Sequence, residues 1–261
     1  MKKHLSTALL LLVLLAGVAL LLYPTASDYW NSFHQSRAIA GYAESVSGLN
    51  AVDYEHIWRS ARDYNARLLE RANPFRVLEE DEADYNGELN VGNNGIMGYI
   101  EIPSIEVSLP IYHGTSDGVL QVAVGHLQGS SLPVGGPSTH CVLSGHRGLP
   151  SAKLFTNLDQ LAEGDIFMLR ILNETLTYEV DQIHIVLPDE MGDLVVQEGQ
   201  DHCTLITCTP YGVNTHRLLV RGKRIETPEA ASSARITADA VRIDPILVAP
   251  VAAAPMLLAL F

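Results

Sequence analysis

The sequence predicts a mainly β body whose sheet is closed or nearly closed, preceded by helices and bounded by apolar terminal segments. Three observations predict it. Beyond Gly95, β-branched and apolar runs follow one another at short intervals between turn residues. Residues 28–71 hold few helix breakers and repeat apolar or aromatic side chains at three-to-four spacing, as at Ile57, Ala61, Tyr64 and Leu68. Residues 5–23 form an apolar run without a charge, near the ~20 residues that cross a bilayer.

Residues 1–27 read as an N-terminal membrane anchor. Lys2 and Lys3 precede the run and predict a cytoplasmic N-terminus with an exported body. The rival reading is a cleaved signal, with Ala26 and Ser27 as small residues near a cut. Residues 28–71 are a helical juxtamembrane region, between membrane and body, with Asp53 as N-cap. His56 stands at the third position after it, so the capping box is incomplete. Residues 72–95 lose the periodicity. Pro74, Gly87, Gly92 and the acidic cluster Glu79-Glu80-Asp81-Glu82 mark a long loop, a kind of segment that is usually functional or disordered.

The body spans 96–226. Its strands are expected at 97–102, 107–112, 141–144, 166–172, 175–186, 194–196, 203–208 and 217–225, with Asn173-Glu174 joining two at hairpin length. Short helices are expected at 119–126 and 152–161. Residues 227–245 are a Thr/Pro/Ala/Ser-rich linker. Residues 246–261 form a second apolar run, interrupted by Pro250 and Pro255 and marginal in length for a span.

Of the 261 residues 47% are hydrophobic, enough for one sizeable core besides the terminal runs. The net charge of −13 leaves no basic face to neutralise phosphates and argues against a nucleic-acid partner.

The chemistry concentrates late in the chain. Thr204-Leu205-Ile206-Thr207-Cys208 reads as a strand, Pro210 and Gly212 break the segment after it, and Arg217-Leu218-Leu219-Val220 reads as the next. Paired antiparallel, directly opposed Cβ atoms lie about 4.5–5.5 Å apart, so Cys208 and Arg217 would meet at one lip of a sheet. A fixed positive charge beside a thiol favours thiolate and can hold an oxyanion, so Cys208 is a candidate nucleophile. The cysteines number 3, so at least one thiol has no partner within the chain. Cys203 and Cys208 lie an odd number of positions apart on one strand and point to opposite faces. Cys141 and Cys203 read as buried small hydrophobes.

Among the 10 histidines, His146 follows an apolar strand and is flanked by Gly145 and Gly148. An imidazole titrating near neutrality can protonate a leaving amine and then deprotonate an incoming one. His216 sits beside Arg217 and alternates to the other face. His140-Cys141 with His146, and His202-Cys203 with Cys208, repeat one spacing that invites a zinc reading. Adjacent strand residues diverge, however, so each pair would donate one ligand at most. No metal and no cofactor is expected.

The sequence from Gly98 to Arg224 resembles the sortases, membrane-tethered cysteine transpeptidases of Gram-positive bacteria. The family signature is Thr-Leu-x-Thr-Cys with a downstream Arg and an upstream His, matched by Cys208, Arg217 and His146 in Leu143-Ser144-Gly145-His146-Arg147-Gly148. Gly98-Tyr99-Ile100-Glu101-Ile102-Pro103, Leu109-Pro110-Ile111-Tyr112-His113-Gly114-Thr115, Ser131-Leu132-Pro133-Val134-Gly135-Gly136 and the stretch from Cys208 to Arg217 resemble the pilin-polymerising class C group.

The resemblance implies an eight-stranded sortase barrel held at the cell membrane, with its catalytic face outside. It implies cleavage of a Leu-Pro-x-Thr-Gly-like sorting signal between Thr and Gly. Cys208 would be the nucleophile, Arg217 would hold the oxyanion or the peptide, and His146 would act on the amines. The partners would be pilin or surface-protein sorting signals and a pilin lysine as amine acceptor. It also implies a lid over the site carrying an Asp-Pro-aromatic motif. This chain has Asn73-Pro74-Phe75 there, with Phe75 expected over the Cys208 sulfur. Asn73 in place of Asp would make a weaker latch to Arg217, because an amide offers only a neutral acceptor. Thr207 is expected to line the substrate cleft. The alternatives are a housekeeping enzyme that uses cell-wall precursor as acceptor, or a membrane-anchored scaffold without turnover.

Overall fold

Eight strands close into a mixed barrel in the order β1-β2-β3-β4-β7-β8-β6-β5. They are β1 (Ile96–Ile102), β2 (Val107–His113), β3 (Val124–His126), β4 (Thr139–Ser144), β5 (Ile166–Ile171), β6 (Glu174–Val186), β7 (Asp201–Thr209) and β8 (His216–Ile225). The pairs β2/β3 and β4/β7 are parallel and the others antiparallel. The computed structural model describes residues 2–76 and 81–228. The terminal apolar run and all but the start of the linker lie outside the described residues.

Helix α1 (Lys2–Ser47) and helix α2 (Ala51–Leu69) precede the barrel. At 1.5 Å per residue α1 is roughly 70 Å long. Its N-terminal part is long and apolar enough to cross a membrane and is unburied in the protein. Its C-terminal part and α2 share one core with the barrel: Tyr42, Val46, Trp58, Ala61, Tyr64 and Leu68 pack with Ile100, Ile111, Leu169 and Val220. Hydrogen bonds fix this docking, from Tyr42 Oη to the Met97 carbonyl (3.1 Å) and from the Leu172 N–H to Tyr42 Oη (2.8 Å). The helices cover the outer face of the barrel at β1, so β1 is buried on both faces except at Tyr99. They are thus part of the body's core as well as its link to the apolar N-terminal segment.

Several local expectations change. One helix runs through Pro24 and past the expected boundary at residue 27. The cap of α2 is Asn50, whose Oδ1 accepts the N–H groups of Val52 and Asp53, while Asp53 Oδ2 accepts the Asn50 N–H. The box is complete, with Asp53 in the position usually held by Glu or Gln. The loop 72–95 contains helix α3 (Glu82–Gly87), held by the buried Tyr85. Tyr85 Oη meets His126 Nδ1 (2.9 Å) and accepts the Gly114 N–H (2.9 Å).

The expected helix 119–126 is only α4 (Asp117–Leu120), and β3 takes its second half. Gly125 allows that change, since a Cβ there would lie 2.2 Å from the Gly114 carbonyl oxygen. In place of helix 152–161 there are turns and a 3-10 segment (Leu158–Gln160). In place of strand 194–196 a 3-10 turn (Gly192–Leu194) sinks Leu194 into the body.

On the outer face, Arg170 Nε donates to Glu101 Oε2 (2.8 Å) and Nη1 to Thr175 Oγ1 (2.6 Å), with both charged residues under 9% exposed. Breaking a buried ion pair by removing one of its partners costs about 3–5 kcal/mol. Glu101→Ala is therefore expected to lose several kcal/mol in urea unfolding. A loss below about 1 kcal/mol would mean that the pair is effectively solvated.

Candidate active site

Strands β4 and β7 run parallel, with Cys141 opposite Cys203 and Ser144 opposite Ile206. Two residues beyond those last partners the chain reaches His146 on one side and Cys208 on the other. On its far flank β7 pairs antiparallel with β8, and Cys208 stands directly opposite Arg217. The register thus brings His146, Cys208 and Arg217 to one edge of the barrel, with the cysteine position in the middle. All three are partly exposed.

The alternation along β7 separates the thiols as expected. Cys203 is fully buried with Cys141 in the barrel core, whereas Cys208 shares the outer face with Ile206 and Thr204. His140 and His202 take that outer face while Cys141 and Cys203 point inward, so the two His-Cys pairs split across the sheet. Among the described residues no group of three His, Cys, Asp or Glu side chains could hold a metal.

Two hydrogen bonds tie the histidine's strand to the cysteine's. The Gly145 N–H donates to the Ile206 carbonyl (3.0 Å), and Thr207 Oγ1 donates to the Gly145 carbonyl (2.8 Å). Thr207, expected to line the cleft, is 1% exposed and acts as this cross-strand tie. Its place on β7 explains the difference, because it alternates with Cys208 and so faces inward. Gly145 also lacks room for a side chain, since a Cβ there would lie 2.7 Å from the Phe155 ring. Arg217 Nη1 donates to the carbonyls of His216 (3.1 Å), at the start of β8, and Asn214 (3.4 Å), in the loop before it.

The segment Asn73-Pro74-Phe75 lies against the apolar face of the sheet beside this edge. Phe75 packs on Val142, Leu194 and Leu219, with Leu127, Val186, Met191 and Ile206 beside it. Ile206 and Leu219 are themselves register partners, one pleat along the sheet from Cys208 and Arg217. The ring therefore covers the apolar surface of the sheet one pleat from Cys208. Gly129 is the seat of the lid backbone. Its φ is +95°, and a Cβ there would lie 2.5 Å from the Pro74 carbonyl oxygen.

Asn73 is exposed and makes its local bond through its carbonyl, which accepts the Arg76 N–H (3.2 Å). The loop is closed at its base by a two-bond clasp from Arg71 to Asp81, at 2.8 and 2.7 Å. Neither Gly129 nor this clasp was found in the sequence. The available hint was Arg71 just before the loop and the acidic cluster within it.

His140 lies on the same outer face. It meets the Val195 carbonyl through Nδ1 (3.2 Å) and Thr204 Oγ1 through Nε2 (2.7 Å). These partners suit a neutral ring that donates from Nδ1 and accepts at Nε2. Burial pushes its pKa down to about 4. An unfolded histidine binds a proton below about pH 6.5, while the folded ring resists until about pH 4. Its contribution is thus complete above pH 6.5 and is lost as the pH falls through that window. Urea midpoints should drop between pH 6.5 and 4 in the wild type and drop less in His140→Gln. Equal slopes in the two proteins would contradict this placement of the ring.

The family described as "Sortase domain" matches residues 100–225. Sortase D of Bacillus subtilis (strain 168) is 30% identical over 148 residues, covering 56% of this chain and 72% of that protein. Among solved structures, sortase C1 from Streptococcus agalactiae superposes with a TM-score of 0.72 at 52% identity, covering 74% of this chain and 100% of that one. The Streptococcus pneumoniae sortase C structure gives a TM-score of 0.63 at 43% identity, covering 73% and 97%.

Proposed function

The chain belongs to the sortase family of cysteine transpeptidases, and on that premise we propose that it polymerises pilins from the outer side of a cell membrane, anchored there by α1. The observation that supports this reading is the register that sets Cys208 opposite Arg217 where β4 delivers His146.

The Cys208 thiolate attacks the threonine carbonyl of a Leu-Pro-x-Thr-Gly-like signal, and the carbonyl π electrons move onto oxygen. The Arg217 guanidinium, whose present acceptors are the Asn214 and His216 carbonyls, turns to the oxyanion. As the C–N bond breaks, His146 gives its proton to the departing glycine amine, and a thioester to threonine remains. A lysine amine then attacks the thioester and yields a proton to His146. Collapse expels the Cys208 thiolate and leaves an isopeptide bond. Thr207 takes no direct part; it holds the Gly145 carbonyl and so the entry to His146.

The class C neighbours and the lid-like segment favour a pilin lysine over a cell-wall amine as acceptor. The anchor reading follows from the apolar part of α1, with Lys2 and Lys3 on the cytoplasmic side. With Phe75 in the groove, a sorting peptide must displace the lid to lie beside Cys208.

Cys208→Ala is expected to abolish peptide cleavage. His146→Ala and Arg217→Ala should each lower kcat by about 10²–10³-fold, the usual size of a lost general acid or oxyanion donor. Mass spectrometry should find the peptide acyl group on Cys208, and an adduct on another thiol would refute the assignment.

Phe75→Ala should speed alkylation of Cys208 by a bulky maleimide about ten-fold or more. It should also raise the yield of high-mass ladders from a lysine-bearing pilin. Unchanged alkylation would show that the groove is open without the substitution.

A further inference from the structure

We propose that Asp28 and Asn31, on the anchor helix, are positioning residues for His146: they clamp the far side of the loop that carries it. Only the kinetic side of this inference rests on the proposed reaction.

The loop leaves β4 at Gly145 and returns at Phe155, whose N–H donates to the His146 carbonyl (3.1 Å). Its internal bonds are few and short-range. The Gly148 N–H donates to Thr156 Oγ1 (3.1 Å), the Thr156 N–H to the Lys153 carbonyl (2.7 Å), and Leu149 bridges Ala152. The loop's return, at Ala152, Leu154 and Phe155, is buried in the core, so the part that these local bonds alone hold weakly is the outward stretch at residues 146–151.

Two outside fastenings flank His146. On the near side Arg147 pairs with Asp159 through Nη2, donates to Thr209 Oγ1 at the end of β7 (3.3 Å) and lies over the Tyr211 ring of the following turn (5.9 Å). On the far side the fastenings come from α1. Asn31 Nδ2 donates to the Ser151 carbonyl (2.6 Å), and Asp28 Oδ1 accepts the Lys153 N–H (2.8 Å). The accompanying contact between Lys153 Nζ and Asp28 is long, at 3.7 Å, and the lysine is exposed, so the backbone bond is the stronger element of this clamp.

The helix can serve as a rigid arm. Asp28, Asn31, Gln35, Ala38, Tyr42 and Val46 recur at three-to-four spacing on one face, polar at the anchor end and in the core at the other. Asp28 is also the first charged residue after the apolar run. The segment that emerges from the anchor therefore grips the histidine's loop directly. Gln35 makes a comparable bond to a different segment, donating to the Val122 carbonyl (2.8 Å). That bond docks the helix without touching the loop, which makes it the natural control.

A misplacement of about 1 Å at a reacting group can cost 10²-fold in rate. In the full chain in lipid nanodiscs, Asp28→Ala combined with Asn31→Ala should lower kcat for a Leu-Pro-x-Thr-Gly peptide at least ten-fold, with KM within two-fold. Asp28→Asn keeps an acceptor for the Lys153 N–H and should stay near wild type. Gln35→Ala should also stay near wild type. Amide hydrogen exchange across residues 146–155 should quicken in the double variant alone. Unchanged exchange in the double variant, or a loss of kcat in Gln35→Ala equal to its loss, would overturn the proposal. A wild-type chain that fails to cleave the peptide would instead sink the proposed reaction, and the exchange comparison would still decide the clamp.

Discussion

The site depends on the tie between two parallel strands at their shared end. Gly145 donates to Ile206 and accepts from Thr207, so the last residue before the histidine is bonded to both residues before the cysteine. Without those bonds β4 and β7 would diverge just short of the chemistry. With them, the positions of His146 and Cys208 leave the sheet at the same level, and the antiparallel partner β8 adds Arg217 on the other flank. The barrel's closure gives this edge its rigidity, since each of the three strands is paired on both sides.

The groove and the lid use the same sheet. Side chains alternate, so the face that presents Cys208 also presents Ile206, and across from it Leu219, and these form an apolar floor. Phe75 covers that floor. The close approach of Gly129 to Pro74 and the Arg71–Asp81 clasp hold the segment that carries it.

Much of this was legible in the sequence, and the residues show why. The opposition of Cys208 and Arg217 follows from two β-type runs and the breakers between them, a short-range pattern. The opposite orientations of Cys203 and Cys208 follow from alternation alone. What escaped depends on contacts distant in the chain. Strand β3 has three residues and exists because β2 accepts it in parallel, so its local pattern read as helix. Thr207 turns inward because its hydroxyl bonds the carbonyl of Gly145, a residue 62 positions away in the chain. Asp53 looked like a cap, whereas it completes a cap begun by Asn50. The resting place of Phe75 depends on Leu194, which lies in a segment whose local pattern suggested a strand.

The most direct test of the central arrangement is a crystal structure of the lid-displaced enzyme with a sorting-signal mimic joined to Cys208 through its sulfur. The account requires the mimic's carbonyl oxygen within about 3 Å of the Arg217 guanidinium, the distance of a hydrogen bond. It also requires the His146 ring on the opposite side, facing the leaving-group position. If Arg217 still bonds the carbonyls of Asn214 and His216 while His146 stays beyond a substrate's reach, the parallel-strand tie does not assemble a catalytic site.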